Sequence, residues 1–237
     1  VDCTNGPEGP DTPGSANTWI PSPSPANADE CPPVFYMSTL QRFLRHIWRF
    51  RVTFPWLDIL LHADDIDAAF RRILYSPELA IIFAYVFGEF LIIPVGQVFG
   101  SRSAPSFFSL ASDLRADIAT TSEVQADFPL HPLAQNINLP SVPAPESLQP
   151  AIADALNPPL SALEQTHYNN DSFVDDNGIS APRHRIVQAL QQSLVSAFIL
   201  FGWPSEDRRN SCMAADKWDP LVSFRVLFLG YLIDSRA

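Results

Sequence analysis

Residues 57–70 read LDILLHADDIDAAF, an apolar run that ends in two adjacent aspartates. The run 57–63 is rich in Leu and Ile, and this composition predicts a buried strand. Residues 66–75 place apolar side chains at helical spacing, which predicts a helix after the aspartates. Asp64 and Asp65 then fall between a strand and a helix, where the simplest role of an aspartate is to cap the helix.

A second pair of aspartates lies in FVDDNG at 173–178, after a short apolar strand. Asn177-Gly178 is typical of a hairpin turn, so turn chemistry alone could explain Asp175 and Asp176. The two acidic sites could also meet at one end of a sheet and hold two divalent cations for phosphoryl transfer. Mg²⁺ is the expected ion, because hard cations prefer oxygen ligands.

The rest of the chain predicts a mixture of helices and strands. Strands alternate with helices without regular βαβ spacing, which favours the α+β class. The apolar run 79–99 is long enough to span a bilayer, but Glu89 and Pro94 interrupt it and favour a hairpin. The predicted elements are helices over 38–51, 105–118 and 184–201, a hairpin over 80–87 and 90–95, short strands at 172–174 and 179–180, and a strand or hairpin over 224–234.

Charge and proline divide the chain into four parts. Of its 237 residues 46% are hydrophobic, enough to form a core, and the net charge is −11. Residues 1–33 and 119–172 together carry eleven acids and no Lys or Arg, and each region is rich in proline. We therefore predict an acidic N-terminal segment 1–33, a first core segment 34–118, an acidic insertion 119–167 and a second core segment 168–237. The insertion is expected to lie outside the core with little regular structure.

Cysteine and histidine spacing exclude two kinds of site. The three cysteines form no C-x-x-C pair and the five histidines show no ligand spacing, so no thiolate zinc site or disulfide framework is indicated. The polar, acidic start does not resemble a signal peptide. These features predict an intracellular protein without a membrane segment, in the cytoplasm or the nucleus.

Four segments, in this order, resemble the palm domain of reverse transcriptases, most closely those of retroelements. The resemblance covers most of 56–111 and 168–234, and it implies a right-hand polymerase palm, an antiparallel sheet with helices packed on one face, with partial fingers and no thumb. The segments are DIDAAF at 65–70, FGSRSAPSFF at 99–108, FVDD at 173–176 and FLGYLI at 228–233.

The resemblance implies a catalytic and metal-binding site formed by Asp65, Asp175 and Asp176. With the Ile66 carbonyl, these would hold two Mg²⁺ or Mn²⁺ ions. Phe70 would exclude a ribose 2′-hydroxyl, although a core aromatic is compatible with the same position. Further implied nucleotide-binding residues are Ala69, Phe99, Gly100 and Lys217, and the implied primer grip is Phe228, Leu229, Gly230 and Tyr231.

Lys217 is the only lysine of the chain. Many polymerases carry a lysine before the last palm hairpin that protonates the leaving pyrophosphate. Lys217 precedes Phe228 by eleven residues. A solvated surface lysine is the favoured alternative.

The implied function is RNA-directed DNA polymerase, which transfers nucleotides onto a primer 3′-hydroxyl. The implied partners are an RNA or DNA template with its primer and deoxynucleoside triphosphates. Fingers, thumb and ribonuclease H are expected in the parent protein, outside this sequence. Two alternatives stay open: an inactive palm remnant or interaction domain, and an RNA-templated RNA polymerase. Phe70 and Val174 disfavour the RNA polymerase.

Overall fold

The structure is a computed structural model that describes most of the two neutral segments. The described residues are 5–6, 9–10, 26, 38–121, 131–141, 167–202, 212–214 and 217–236. Nearly all of the segment 1–33 lies outside them, as do Cys3 and Cys31.

Helices and antiparallel strands are both present, which confirms the α+β class. The strands are β1 (Asn5–Gly6), β2 (Gly9–Pro10), β3 (Ile59–Asp65), β4 (Tyr85–Phe87), β5 (Phe90–Ile92), β6 (Asn169–Phe173), β7 (Asp176–Pro182), β8 (Arg225–Phe228) and β9 (Tyr231–Asp234). The helices are α1 (Thr39–Thr53), α2 (Pro77–Ile82), α3 (Ala104–Thr121), α4 (Pro132–Gln135) and α5 (Ile186–Phe201), with a 3₁₀ turn at Ala69–Arg72.

The central sheet has three antiparallel strands in the order β3-β7-β6, so β7 lies in the middle. Ile59 of β3 pairs with Pro182 of β7, and the pairing continues without a bulge to Asp65 and Asp176. Phe173 at the end of β6 also pairs with Asp176. The last residue of β3 and the β6–β7 turn therefore share one end of the sheet.

Helices cover both faces of this sheet, so the prediction that they pack on one face is wrong. Alternate residues of a strand point to opposite faces. One face packs against α3 and α5, through Leu60, Ile179, Ala181, Phe108, Leu190 and Leu194. The other packs against α1 and the β8–β9 hairpin, through Ile59, Leu61, Phe43, Ile47, Phe50 and Phe228. The reason is that α1 has an apolar stripe of its own that needs burial.

Gly178 of β7 lets two aromatic rings approach the second face of the sheet. A Cβ at this position would lie 3.0 Å from the Phe228 ring and 3.2 Å from the Phe43 ring. We expect Gly178→Ala to lower the free energy of unfolding by about 1–3 kcal/mol, because overpacking forces these rings to shift. Urea unfolding measures this, and adding Phe228→Leu should recover part of the loss. Unchanged stability in the single variant would contradict the packing of α1 and β8 on this face.

Most of the helices and hairpins predicted from the sequence are confirmed. The predicted helices 38–51, 105–118 and 184–201 correspond to α1, α3 and α5, and α5 ends at Gly202 with φ of 100°. Strands β4 and β5 form a hairpin, although residues 80–82 belong to α2. The last hairpin, β8–β9, turns at Leu229 and Gly230, whose φ values are 51° and 78°.

Two local predictions around the aspartates are wrong. The helix over 66–75 is reduced to the 3₁₀ turn Ala69–Arg72, because the chain on either side of that turn makes extended bridges instead. The β6–β7 turn lies at Val174 and Asp175, not at Asn177-Gly178. Asn177 is buried and hydrogen-bonded within the sheet, so it is part of β7.

Part of the acidic segment 119–167 belongs to the core, contrary to expectation. Residues 119–121 continue α3, and 131–141 contain the short helix α4. The His131 ring lies 4.5 Å from Phe198 of α5, and Asn138 forms a parallel bridge to Leu221. Pro132 at the first turn of α4 explains the local order, since proline suits a helix start. The prediction for 122–130 and 142–166 falls outside the described residues.

The apolar run 79–99 is not one continuous helix. It contains the end of α2, the β4–β5 hairpin and the chain that follows. No helix in the described part of the chain is long and apolar enough to cross a membrane.

Candidate active site

The two aspartate sites meet at one end of the central sheet. Asp65 is the last residue of β3 and pairs with Asp176, the first residue of β7. Asp175 lies in the adjoining turn, where its carbonyl accepts a hydrogen bond of 3.3 Å from the Ile66 amide. Side chains of directly paired residues have Cβ atoms about 5 Å apart. The two aspartate sites therefore share one end of the sheet, whereas convergence of the three carboxylates on two shared cations stays a prediction.

Asp65, Asp175 and Asp176 are called the carboxylate cluster here. Burial and the repulsion of neighbouring carboxylates disfavour the negative charge on two of its members, Asp65 and Asp176. Burial, followed by the charges of Asp175 and Asp65, raises the pKa of Asp176 to about 6. Burial also raises the pKa of Asp65, against the opposing effect of Lys217. Asp65 Oδ1 is buried and has no hydrogen-bond partner. A cation at this position would relieve both the repulsion and the unsatisfied oxygen.

The Lys217 ammonium provides one such cation. Its Nζ donates to Asp65 Oδ2, and the nearby charges of Asp175 and Asp176 help to raise its pKa. The backbone brings Lys217 here, because the Ala214 amide donates to the Asp65 carbonyl and the Lys217 amide to the Ala214 carbonyl. The Lys217 side chain is still 63% exposed. It is both solvated, as the favoured alternative expected, and bound to the cluster.

The oxygen atoms of the cluster suit a hard divalent cation, although Lys217 now binds one of them. All the side-chain atoms that could bind the metal are carboxylate oxygens, the ligand type that Mg²⁺ prefers. Among the described residues, no three carboxyl, imidazole or thiol groups are arranged as a ready metal-ion site. Asp65 Oδ1, which accepts no hydrogen bond, is one oxygen available to a metal ion. The exposed lysine side chain can leave the other oxygen by rotation, without a change in the backbone.

We expect Asp176→Asn to stabilise the protein at neutral pH but not in acid. In the folded protein the pKa of Asp176 is raised from 3.8 to about 6, so the fold binds this proton more tightly than the unfolded chain does. The tighter proton binding by Asp176 contributes its full amount to the free energy of unfolding below about pH 4. This contribution is lost as pH rises through about 6. Urea unfolding at pH 4 and pH 7.5 measures the difference. A control is Asp67→Asn, since that side chain is 55% exposed. An equal effect of Asp176→Asn at both pH values would contradict the assignment.

Three aromatic rings gather after the first aspartate site. The half-buried Phe70 ring lies 5.2 Å from Phe99 and 5.8 Å from Phe108, with both contacts edge to face. Ala69 is buried, and Gly100 has a φ of 81° that favours glycine. Phe70 therefore packs on the core as one interpretation expected, and it keeps part of its surface accessible.

Residues of the implied primer grip divide between core and surface. Phe228 is buried, with its ring 5.0 Å from Phe43. Leu229 and Gly230 form the turn of the β8–β9 hairpin, and Tyr231 is exposed. Only Tyr231 and the turn are accessible to a ligand, while Phe228 anchors the hairpin to the sheet.

A buried polar network behind the carboxylate cluster was missed by sequence reasoning. Asp64 accepts hydrogen bonds of 2.7 Å from Arg115 Nη2 and 2.9 Å from Ser193 Oγ. Asn177 Nδ2 donates to Asn170 Oδ1 at 2.7 Å and to Ser193 Oγ at 3.1 Å. Helix capping by Asp64 or Asp65 is therefore wrong, because both lie within β3. One signal was present, since Arg115 follows the buried Phe108 by seven residues and so shares its helix face.

Comparisons with known proteins add no assignment to this geometry. No protein-family model matches the chain, and no curated protein matches it.

Proposed function

We propose that the chain carries the palm of an RNA-directed DNA polymerase, which adds deoxynucleotides to a primer 3′-hydroxyl. The observation that carries this proposal is the pairing of Asp65 with Asp176, beside Asp175, at one end of an antiparallel sheet. Two strand-end acidic sites separated by 110 residues in sequence thereby form one cluster. Clusters of carboxylates that share two divalent cations are the usual basis of in-line phosphoryl transfer.

In this proposal the carboxylate cluster and the Ile66 carbonyl would hold the cations. Two bound Mg²⁺ or Mn²⁺ ions supply a lowered pKa for the primer hydroxyl and a charge clamp for the triphosphate. The cluster fits this role because its donors are oxygens, and because Asp65 Oδ1 is buried without a partner.

Lys217 has a role of its own in the proposed reaction. Its raised pKa keeps Nζ protonated at neutral pH, so the ammonium can neutralise charge and donate a proton. The side chain is exposed and already borders the cluster. In this proposal Lys217 Nζ donates a proton to the leaving pyrophosphate.

Phe70 is the proposed selectivity residue for deoxynucleotides. It lies five residues after Asp65, with part of its ring accessible, and a rigid ring there would overlap a ribose 2′-hydroxyl. We expect Phe70→Ala to gain ribonucleotide incorporation and to keep some deoxynucleotide incorporation, because the carboxylates are untouched. Primer extension with each nucleotide set measures this, with the chain fused to the fingers and thumb of an active reverse transcriptase. Phe87→Ala, at an exposed aromatic, is the control. An unchanged preference would leave Phe70 as a core residue only.

Primer extension on an RNA template tests the proposed function itself. The proposal predicts deoxynucleotide addition that depends on Mg²⁺ or Mn²⁺ and stops on chelation. Binding of the primer–template without extension in either metal would favour the inactive palm remnant. Extension with ribonucleotides alone would favour an RNA-templated RNA polymerase.

A further inference from the structure

Helix α1 presents a stripe of positive charge in a chain of net charge −11. Arg42, Arg45 and Arg49 are all exposed and follow one another at spacings of three and four residues, so they share one helix face. The helix contains no acidic residue. The opposite side of α1 is buried against the sheet, which fixes the stripe toward solvent.

Two of these arginines have no partner of opposite charge among the described residues. Arg42 is paired with Asp171 of β6, with 3.4 Å between Arg42 Nε and Asp171 Oδ1. His46 Nδ1 also lies 2.8 Å from Asp171 Oδ2. By contrast, neither Arg45 nor Arg49 forms an ion pair in the described part of the chain. Four residues of helix separate them, a distance of about 6 Å along the axis. Their two charges are therefore available to an external anion with repeated negative groups.

A groove continues the stripe at the C-terminal half of α1. It has a volume of about 480 Å³ and lies between α1, the end of α3 and the start of β6. Its lining combines cationic or titratable groups with aromatic rings, and none of the described lining residues is acidic. The residues that matter here are His46, Arg49, Phe54, His167 and Tyr168. Such a surface suits a ligand that carries both phosphates and flat apolar rings.

Trp48 adds an aromatic ring beside the free arginines. Its side chain is 65% exposed, although a large aromatic residue is usually buried. An exposed tryptophan next to unpaired arginines allows base stacking and phosphate contact on one surface. This combination favours a nucleic acid over an anionic lipid surface, because a nucleic acid presents flat bases for stacking beside its phosphates and lipid headgroups do not.

The placement of α1 connects this surface to the carboxylate cluster. Thr39, at the start of the helix, donates a hydrogen bond of 3.0 Å from Oγ1 to the Ser172 carbonyl. The next residue, Phe173, pairs with Asp176. The helix then runs away from that end of the sheet for 15 residues, about 22 Å. A strand leaving the cluster would therefore pass along the stripe.

We propose that the basic stripe and groove of α1 bind the phosphate backbone of a nucleic-acid strand, with Arg45 and Arg49 on phosphates and Trp48 against a base. The identity of that strand as the primer–template rests on the proposed polymerase function. The binding itself needs neither the carboxylates nor a metal ion. The two proposals can therefore fail separately.

Fluorescence anisotropy with a labelled RNA–DNA primer–template, in EDTA and over a series of salt concentrations, tests this surface. Each phosphate contact contributes about 0.9 to the slope of log affinity against log salt. We expect Arg45→Gln and Arg49→Gln each to lower that slope by about 0.9 and to weaken binding about eightfold at 0.1 M salt. Arg236→Gln is the matched control, since Arg236 is exposed but lies over the Phe224 ring. It should leave both quantities unchanged.

Three outcomes would overturn the inference. An equal loss in Arg236→Gln would show that overall charge, not this surface, determines binding. Unchanged slopes in both α1 variants would place the phosphates elsewhere. Binding of phosphatidylserine vesicles, but not of nucleic acid, that depended on Arg45 and Arg49 would identify a membrane surface. Thermal unfolding checks that each variant is folded. Because binding is measured in EDTA, it is scored separately from primer extension.

Discussion

Replacing Asp65 with Asn is expected to reduce primer extension on the order of a thousandfold while leaving the protein folded. The amide keeps the shape of the side chain but removes the charge that the proposed cations need. A metal ion contributes several kcal/mol of charge stabilisation, and about 4 kcal/mol corresponds to a thousandfold in rate. The position of Asp65 opposite Asp176 leaves no other described carboxylate in register on β3 to replace it.

Asp67→Asn provides the matched control for this experiment. Asp67 lies two residues further along, is mostly exposed and is 3.7 Å from Arg72 rather than at the cluster. It should keep near-normal extension. Activity of Asp65→Asn within tenfold of the original chain would show that Asp65 takes no essential part in the reaction.

The second large effect concerns stability. Arg115→Met is expected to lower the free energy of unfolding by about 3–5 kcal/mol, because it leaves the buried Asp64 carboxylate without its partner. Both side chains are fully buried, and their contact is 2.7 Å. Equilibrium unfolding in urea measures the loss, provided the variant is expressed folded.

A double variant separates the loss of charge pairing from the loss of packing. Asp64→Asn combined with Arg115→Met removes both charges and keeps both side chains near their original volume. It should recover a substantial part of the stability. Additive losses in the double variant would contradict the ion-pair explanation.

The sequence predicted the elements whose apolar pattern extends over a whole helix or strand. Helices α1, α3 and α5 have long amphipathic or apolar patterns, and β3 begins with the apolar residues Ile59, Leu60 and Leu61. The position of the two aspartate pairs at strand ends then allowed their meeting to be anticipated. The helices and the strand themselves depend on neighbours along the chain, which a single sequence contains.

Features that depend on distant partners could not be predicted in the same way. Asn177-Gly178 has the local preference of a turn, but hydrogen bonds to Asn170 and Ser193 hold Asn177 inside the sheet. The turn moves instead to Val174, which adopts a φ of 54° that valine rarely takes. Tertiary contacts override a local preference here.

Lys217 illustrates the same limit at the candidate site. Its separation from Asp65 is 152 residues, and backbone bonds around Ala214 bring the two together. Neither the spacing nor the composition around Lys217 indicates this contact. The packing of helices on both faces of the sheet could not be predicted either. The apolar pattern of α1 indicates that one side of the helix is buried, but not which face of the sheet covers it.

Binding of Mn²⁺, followed by electron paramagnetic resonance at pH 7.5, tests the carboxylate metal site by itself, because it needs no nucleic acid and no other domain. We expect the protein to bind Mn²⁺ and Asp175→Asn to weaken this binding at least tenfold, about 1.4 kcal/mol. Lys217→Met should strengthen it, since the ammonium no longer competes for Asp65. Equal Mn²⁺ affinity in the original chain and in Asp175→Asn would contradict a two-metal carboxylate site.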